Sequence, residues 1–341
     1  MMDGIHTLLD SLKAAPTGFA ARLERCRGGE TIELGKAVFA PERIRGYRFA
    51  KPVRILGGSF TGLDLRDCAG LSFEMTQLRC NDENITHRVN GCDRIRMRGL
   101  ELFGPTDSAV GQREGLGLFF DQTTNWAVEH ADVHHLRHGI AHRRADRGRV
   151  ADSRFHDLRT DGLRGSGSSG LRIENNDFWN FFPPATGGRS DHPDAIQFWN
   201  EATHRSHDIH IRGNRIWRGA GHPVQGIFLR GNYQPARLRF TGTRIENNIV
   251  VGGLYNGIAL SAADDATIGG NRIIPLGEQK SWLRLDDVNG TIIGNRATFL
   301  GDRPRGNRDQ SAMNAADAMR IVEAWRSGEA ASPPGRPQAS G

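Results

Sequence analysis

Apolar residues recur along this chain in a fixed figure: an apolar position, Asn or a small residue three places on, and a second apolar position two places further. Met97/Leu100/Leu102 opens the series. Val128/Ala131/Val133, Val150/Ser153/Phe155, Ile173/Asn176/Phe178, Ile211/Asn214/Ile216, Ile245/Asn248/Val250, Ile268/Asn271/Ile273 and Ile292/Asn295/Ala297 continue it. The last members of successive copies lie 31, 22, 23, 38, 34, 23 and 24 residues apart. A base period of 22 to 24 residues with a few longer intervals predicts a coil of short strands with loops inserted at some turns.

A second column runs beside the first, at "GLGL" (Gly115), "HGIAH" (His138), "DGLRG" (Asp161), "DAIQF" (Asp194), "QGIFL" (Gln225), "NGIAL" (Asn256) and "SWLRL" (Ser281). Leu116, Ile140, Leu163, Ile196, Ile227, Ile258 and Leu283 are expected to stack inward, each with an inward neighbour two residues later. Strand alternation then turns Arg164, Gln197, Phe228 and Arg284 outward. Short strands with Asn at one corner and Gly at the others predict an all-β parallel β-helix. Stacked Asn side chains hydrogen-bond along such a ladder and tolerate the left-handed backbone of tight corners. The consensus leucines of leucine-rich repeats are absent, and so is the helical periodicity of ankyrin or tetratricopeptide arrays.

The ends break the pattern. Residues 4–15 place Ile5, Leu8, Leu9 and Leu12 on one helical face, which predicts an N-terminal capping helix region over 1–27. The β-helix is expected over 28–300. Residues 309–326 place Met319, Val322 and Trp325 on one face, predicting a C-terminal helix within 301–327; the tail 328–341 is disordered by composition.

Composition refines this picture at a few points. Forty-three glycines among 341 residues, spread at intervals, fit a chain of many turns, and 37% hydrophobic residues suffice for a core. The formal charge of +6 suits a polyanion, either nucleic acid or a uronic-acid polysaccharide; the absence of any nucleic-acid-binding motif disfavours the first. Cys26, Cys68, Cys80 and Cys92 have no metal-site spacing and read as small, buried, reduced residues. The opening "MMDGIHTLLDSLKAAP" reads as neither a secretory signal nor a membrane span. The chain is therefore expected to be cytoplasmic as synthesised, and to leave a cell by another route such as release on a virion or phage-like particle.

The segments "GGETIEL", "LRIENNDFW" and "TRIENNIV" resemble the strands and coils of right-handed parallel β-helix proteins of the pectate-lyase-like superfamily, over roughly residues 28 to 300. The resemblance implies a right-handed coil and a carbohydrate-active role. That scaffold carries lyases, hydrolases, C5-epimerases, phage tailspikes, which are homotrimers, and non-catalytic adhesins. "SDHPD" is similar to the "DPHD" segment of alginate C5-epimerases with His and Pro exchanged; neither the paired-Asp pattern of polygalacturonases nor the "WIDH" motif of pectate lyases is intact.

The candidate chemistry gathers between residues 161 and 233. Asp161, Asp194, Gln225 and Asn256 fall at one corner of four successive coils. Arg164, Gln197, Trp199 and Arg230 face outward beside them, and the long insertions deliver Arg189, Asp191, His192, His222 and Tyr233 to the same side. The expected partner is an acidic polysaccharide or cell-surface glycan. For β-elimination or C5 epimerisation of a uronate, a base removes the C5 proton while the neighbouring carboxylate is neutralised. His192 is the candidate base, oriented by Asp191 or Asp194. Arg230 and Arg164 are the carboxylate clamps, Tyr233 or His222 the acid, and Gln197, Gln225, Trp199 and Arg189 the substrate contacts. Hydrolysis by Asp161 and Asp194 is the alternative, as is a spike or adhesin that binds without cleaving. Against the catalytic reading, Asp before a strand also serves as an ordinary cap of backbone amides. No cofactor is required; a Ca2+ ion bridging Asp191, Asp194 and a uronate is the one the residues admit, without an Asp-rich calcium loop.

Overall fold

The computed structural model describes residues 18–81, 85–107, 109–184, 193–231, 238–276, 281–297, 299–305, 308–312 and 320. Every strand pairing among them is parallel, and strands of one coil pair with those of the coils before and after, so the chain winds three parallel sheets around one continuous core. The two apolar positions of the repeat fall on neighbouring sheets. On one sheet Met97, Val128, Val150, Ile173, Ile211, Ile245, Ile268 and Ile292 are successive register partners. On the next, Leu102, Val133, Phe155, Phe178, Ile216, Val250, Ile273 and Ala297 are. All are buried.

Between them lies the Asn ladder. A buried amide is costly unless its donors and acceptor are all engaged. Oδ1 of Asn214 accepts from the backbone N–H and from Nδ2 of Asn176, both at 3.0 Å, while its own Nδ2 donates to the Ile173 carbonyl at 2.8 Å. Asn248, Asn271 and Asn295 repeat this one coil after another. Ser153 fills the same position earlier in the chain, accepting from the Ala131 N–H at 3.0 Å. The left-handed turn, expected of these same asparagines, falls one residue before them: Asp152 (φ 52°), Asn175 (55°), Gly213 (65°), Asn247 (55°) and Gly270 (63°). One residue reverses the chain, and the next is thereby aimed inward to bond the stack.

The second column also needs one correction. Leu118, not Leu116, is the partner of Ile140, and from there Leu163, Ile196, Ile227, Ile258 and Leu283 follow as expected. Leu116 pairs with His138 at the corner. A slip of two residues leaves every side chain on its own face, so alternation alone does not reveal it. The glycines of this column are required by close approach: a Cβ on Gly139 would stand 2.6 Å from the Gly162 carbonyl, and one on Gly226 2.1 Å from that of Gly257.

At the N-terminal end a short helix, Phe19–Leu23, buries Phe19 against Phe60 and Phe73, with ring centroids 5.2 and 6.0 Å away. The helix expected over 4–15 lies outside the described residues. At the other end the strands do not stop at residue 300. Phe299–Arg305 and Arg308–Ala312 add to the preceding coil, so residues 309–312 of the expected helix are strand. Arg320 is helical, and the rest of 313–341 lies outside the described residues. All four cysteines are free and buried. Cys92 has a ladder role of its own, its Sγ accepting from the Cys68 N–H at 3.4 Å where Thr123 Oγ1 does the same for Cys92.

Candidate functional site

The corner that carries Asp161, Asp194, Gln225 and Asn256 begins one coil earlier, at His138, which the sequence reading had placed in the column without giving it a role. His138 sits at the start of its strand as Asp194 and Gln225 do in theirs, and Gly139 donates to the Asp161 carbonyl at 3.0 Å. The signal was available: "HGIAH" stands in register with "DGLRG".

Asp161 is 2% exposed and fully engaged. Its Oδ1 accepts the Asp194 backbone N–H at 3.1 Å, and its Oδ2 lies 2.9 Å from Arg164 Nη1 and 3.3 Å from His138 Nδ1. Asp161 is therefore a cap on the next coil and the anchor of Arg164 and His138. Thr160 Oγ1 donates to the Arg137 carbonyl at 2.8 Å, so at its 2.7 Å contact with His138 Nδ1 it accepts. That assignment puts the ring proton on Nδ1 and leaves a lone pair on Nε2. Burial holds the His138 pKa below the ordinary value against the opposing pull of Asp161, and the charges of Arg164 and Arg137 lower it further, so the ring is neutral at neutral pH. Arg164 Nη1 stands 3.4 and 3.3 Å from Nδ1 and Nε2, almost equally far from both, and so lies against the ring rather than on its lone pair.

Asp194 differs from its neighbour. It is fully buried, Oδ2 accepts from Gln197 Nε2 at 2.8 Å, and Oδ1 has no hydrogen-bond partner. Burial, then the negative charge of Asp161, push its pKa well above the ordinary carboxylate value, with Arg164 opposing. Neither carboxyl reaches the groove surface. Each acts on it through a neighbour, Asp161 through Arg164 and Asp194 through Gln197.

The groove, about 750 Å³, runs across the outward face of five consecutive strands. Two register rows form its floor: Arg164, Gln197, Phe228, Ala259 and Arg284, and beside them Trp199, Arg230, Ser261 and Asp286, in register with the buried Ser166. Gln225 and Asn256 complete the lining from the corner, with the Asn256 amide bonded to Gln225 Oε1. The Arg164 guanidinium lies over the Trp199 ring, 5.3 Å from its centroid.

Of the expected site residues, the structure thus brings Arg164, Gln197, Trp199, Gln225 and Arg230 to one groove, with Asp161 and Asp194 buried behind it. His222 is exposed but stands against Phe182, ring centroids 6.4 Å apart, and does not line the groove. Arg189, Asp191, His192 and Tyr233 lie outside the described residues. Elsewhere, His156 stacks between His134 and Trp179 on a different face, and His210 Nε2 pairs with Asp208. Among the described residues no group of three or more His, Cys, Asp or Glu is arranged to hold a metal ion. Of the two residues of the expected calcium bridge, Asp194 is fully buried and Asp191 lies outside the described residues.

Comparison with known proteins agrees with the fold. Residues 113–274 match the family described as right handed beta helix region. No curated protein matches the chain by sequence. Among solved structures, the Streptococcus pneumoniae surface protein and adhesin PfbA is similar at 10% identity, with 86% of this chain and 94% of that one covered and a TM-score of 0.55. The A-module of the Azotobacter vinelandii mannuronan C-5 epimerase AlgE6 is similar at 10% identity, with 86% and 92% covered and a TM-score of 0.51. The Dettilon tailspike protein is similar at 13% identity, with 82% of this chain covered and a TM-score of 0.48; the chain spans 56% of that tailspike's length. At such identities the likeness is one of architecture. The chain is a right-handed parallel β-helix. No helix among the described residues is long and apolar enough to cross a membrane.

Proposed function

We propose that this β-helix binds an acidic polysaccharide in the groove over Arg164, Trp199, Arg230 and Arg284, and modifies it by β-elimination or C5 epimerisation. The observation that supports the reading most is the placement of a neutral His138, oriented through Nδ1 by Thr160 and Asp161, against the guanidinium of Arg164, which lines the groove where His138 stands behind it. Both reactions begin by removing the proton on the carbon next to a carboxylate, so base and carboxylate clamp must be neighbours, and a base is most effective near its operating pH. Arg164 would neutralise the uronate carboxylate as negative charge develops on it, and His138 Nε2 would accept the C5 proton. Proton return to the opposite face gives epimerisation; loss of the C4 oxygen substituent gives elimination. His192 and Tyr233 remain candidates for the second proton transfer.

Hydrolysis by Asp161 and Asp194 is less well supported, because burial keeps both carboxyls from a glycosidic oxygen. The non-catalytic reading, a glycan-recognising adhesin or a particle-borne homotrimeric spike, draws on the same groove without using His138. One experiment separates them: incubation with a panel of polyuronates, following the absorbance of unsaturated product, reducing ends and C5 configuration by NMR. Turnover by the native chain that is lost in His138→Gln while binding persists supports the enzyme. Binding with no chemical change in any polymer sinks it, and turnover that survives His138→Gln removes His138 as the base.

A further inference from the structure

We propose that the polyanion surface does not end with the groove: the same sheet face continues as an arginine strip to the first coil, and a long acidic polysaccharide lies along it, crossing the strands. This rests on the groove being the glycan site and extends it toward the N-terminal coils.

The two outward rows of the groove are unbroken in register through ten strands. Arg43, Asp64, Arg88, Phe119 and Ala141 lead to Arg164 in one row. In the other, Arg45, Arg66, Asn90, Asp121 and Arg143 lead to Ser166. Nine steps at the ~4.8 Å spacing of paired strands give a face about 43 Å long, against about 19 Å for the four steps of the groove.

Eight arginines and three aspartates, Asp64, Asp121 and Asp286, stand in these rows. Two corner acids also pair with the strip, Asp67 with Arg45 and Asp161 with Arg164. The eight arginines of the rows outnumber these five acids by three. The first-coil arginines are open to solvent, with the Arg43 and Arg45 side chains each 73% exposed. The contact chemistry of the groove repeats as well. Arg143 lies over Phe119 at 5.9 Å as Arg164 lies over Trp199 at 5.3 Å, so a charge and a ring face are presented together at two places on one line. A linear chain with regularly spaced carboxylates matches such a line; a compact ligand would fill the groove alone.

The test compares a polyuronate polymer with short oligomers of the same sugar at low salt, using the full chain, the strip variant Arg45→Glu/Arg88→Glu, and Arg212→Glu on another face as control. The polymer is expected to bind the strip variant about tenfold more weakly than the native chain, the loss of two exposed charge contacts. Oligomer affinity, melting temperature and the control's polymer affinity stay at native values. Polymer affinity that is unchanged in the strip variant, or that falls equally in the control, overturns the strip while leaving the groove intact. Failure of both polymer and oligomer to bind the native chain overturns the groove reading itself. Tighter binding of duplex DNA than of the polymer at the same salt overturns the assigned class of partner.

Discussion

Asp161→Asn keeps the shape of the side chain and its acceptor for the Asp194 N–H, and removes the charge that Arg164 and His138 face. At 2.9 Å and an effective dielectric of about 20, the Asp161–Arg164 attraction is roughly 6 kcal/mol before desolvation. The carboxylate is only 3% exposed, so taking it out of water offsets much of that, leaving about 2 kcal/mol, the usual worth of a hydrogen bond between charged groups. Asp161→Asn should therefore lower unfolding free energy by about 2 kcal/mol in urea denaturation with an unchanged m-value. In a double-mutant cycle with Arg164→Gln, most of that loss should appear as coupling between the two sites. Asp161→Ala should cost about 1–3 kcal/mol more, because the buried Asp194 N–H then has no acceptor. The pH profile should shift too. Asp194 has a raised folded pKa, so its contribution is complete below the unfolded value of about 4 and is lost as pH rises through the folded value. Without the Asp161 charge that folded pKa is lower, and the loss ends at a lower pH. Additivity within about 0.5 kcal/mol would show that Asp161 does not hold Arg164.

Asn248→Ala removes an Oδ1 that serves Asn214 and an Nδ2 that serves the Ile211 carbonyl, and should cost about 3 kcal/mol by chemical denaturation; Asn248→Ser should cost about half, since Ser153 fills the same ladder position. A cost below about 1 kcal/mol for the Ala variant would show that the ladder is not a main support of the coil. His156 donates to Asp132 at 2.8 Å and Asp157 at 2.6 Å; burial opposes its charge, but the two carboxylates outweigh it and its pKa is raised. The stability it supplies is complete below the unfolded pKa of about 6.5 and lost as pH rises through the folded value, so His156→Gln should flatten the fall of melting temperature above about pH 6.5. An unchanged slope would place that pH dependence elsewhere.

Much of this protein was legible in the order of its residues because a coil repeats one local problem. Each turn must bury two apolar side chains and one amide, so Ile211/Asn214/Ile216 and its copies carry the period, the sheets and the inward faces in the sequence itself. Strand alternation likewise sufficed to turn Arg164, Gln197, Trp199 and Arg230 toward one groove, because it depends only on parity. Parity is blind to a shift of two, and there the sequence runs out: it does not separate Leu116 from Leu118 as the partner of Ile140, and it gives the corner place of His138 no role. Which coil ends the solenoid was not legible either, since Arg308–Ala312 joins the sheet through backbone bonds that a polar sequence makes as well as an apolar one. The states of Asp161 and Asp194 could be settled only in three dimensions. Both read as acids before a strand, yet one is held by Arg164 and a backbone amide while the other, shut away behind Gln197, has its pKa pushed up. Charge depends on burial and on neighbours, and the neighbour that decides here, Asp161 for Asp194, is 33 residues away in the chain and one strand away in space.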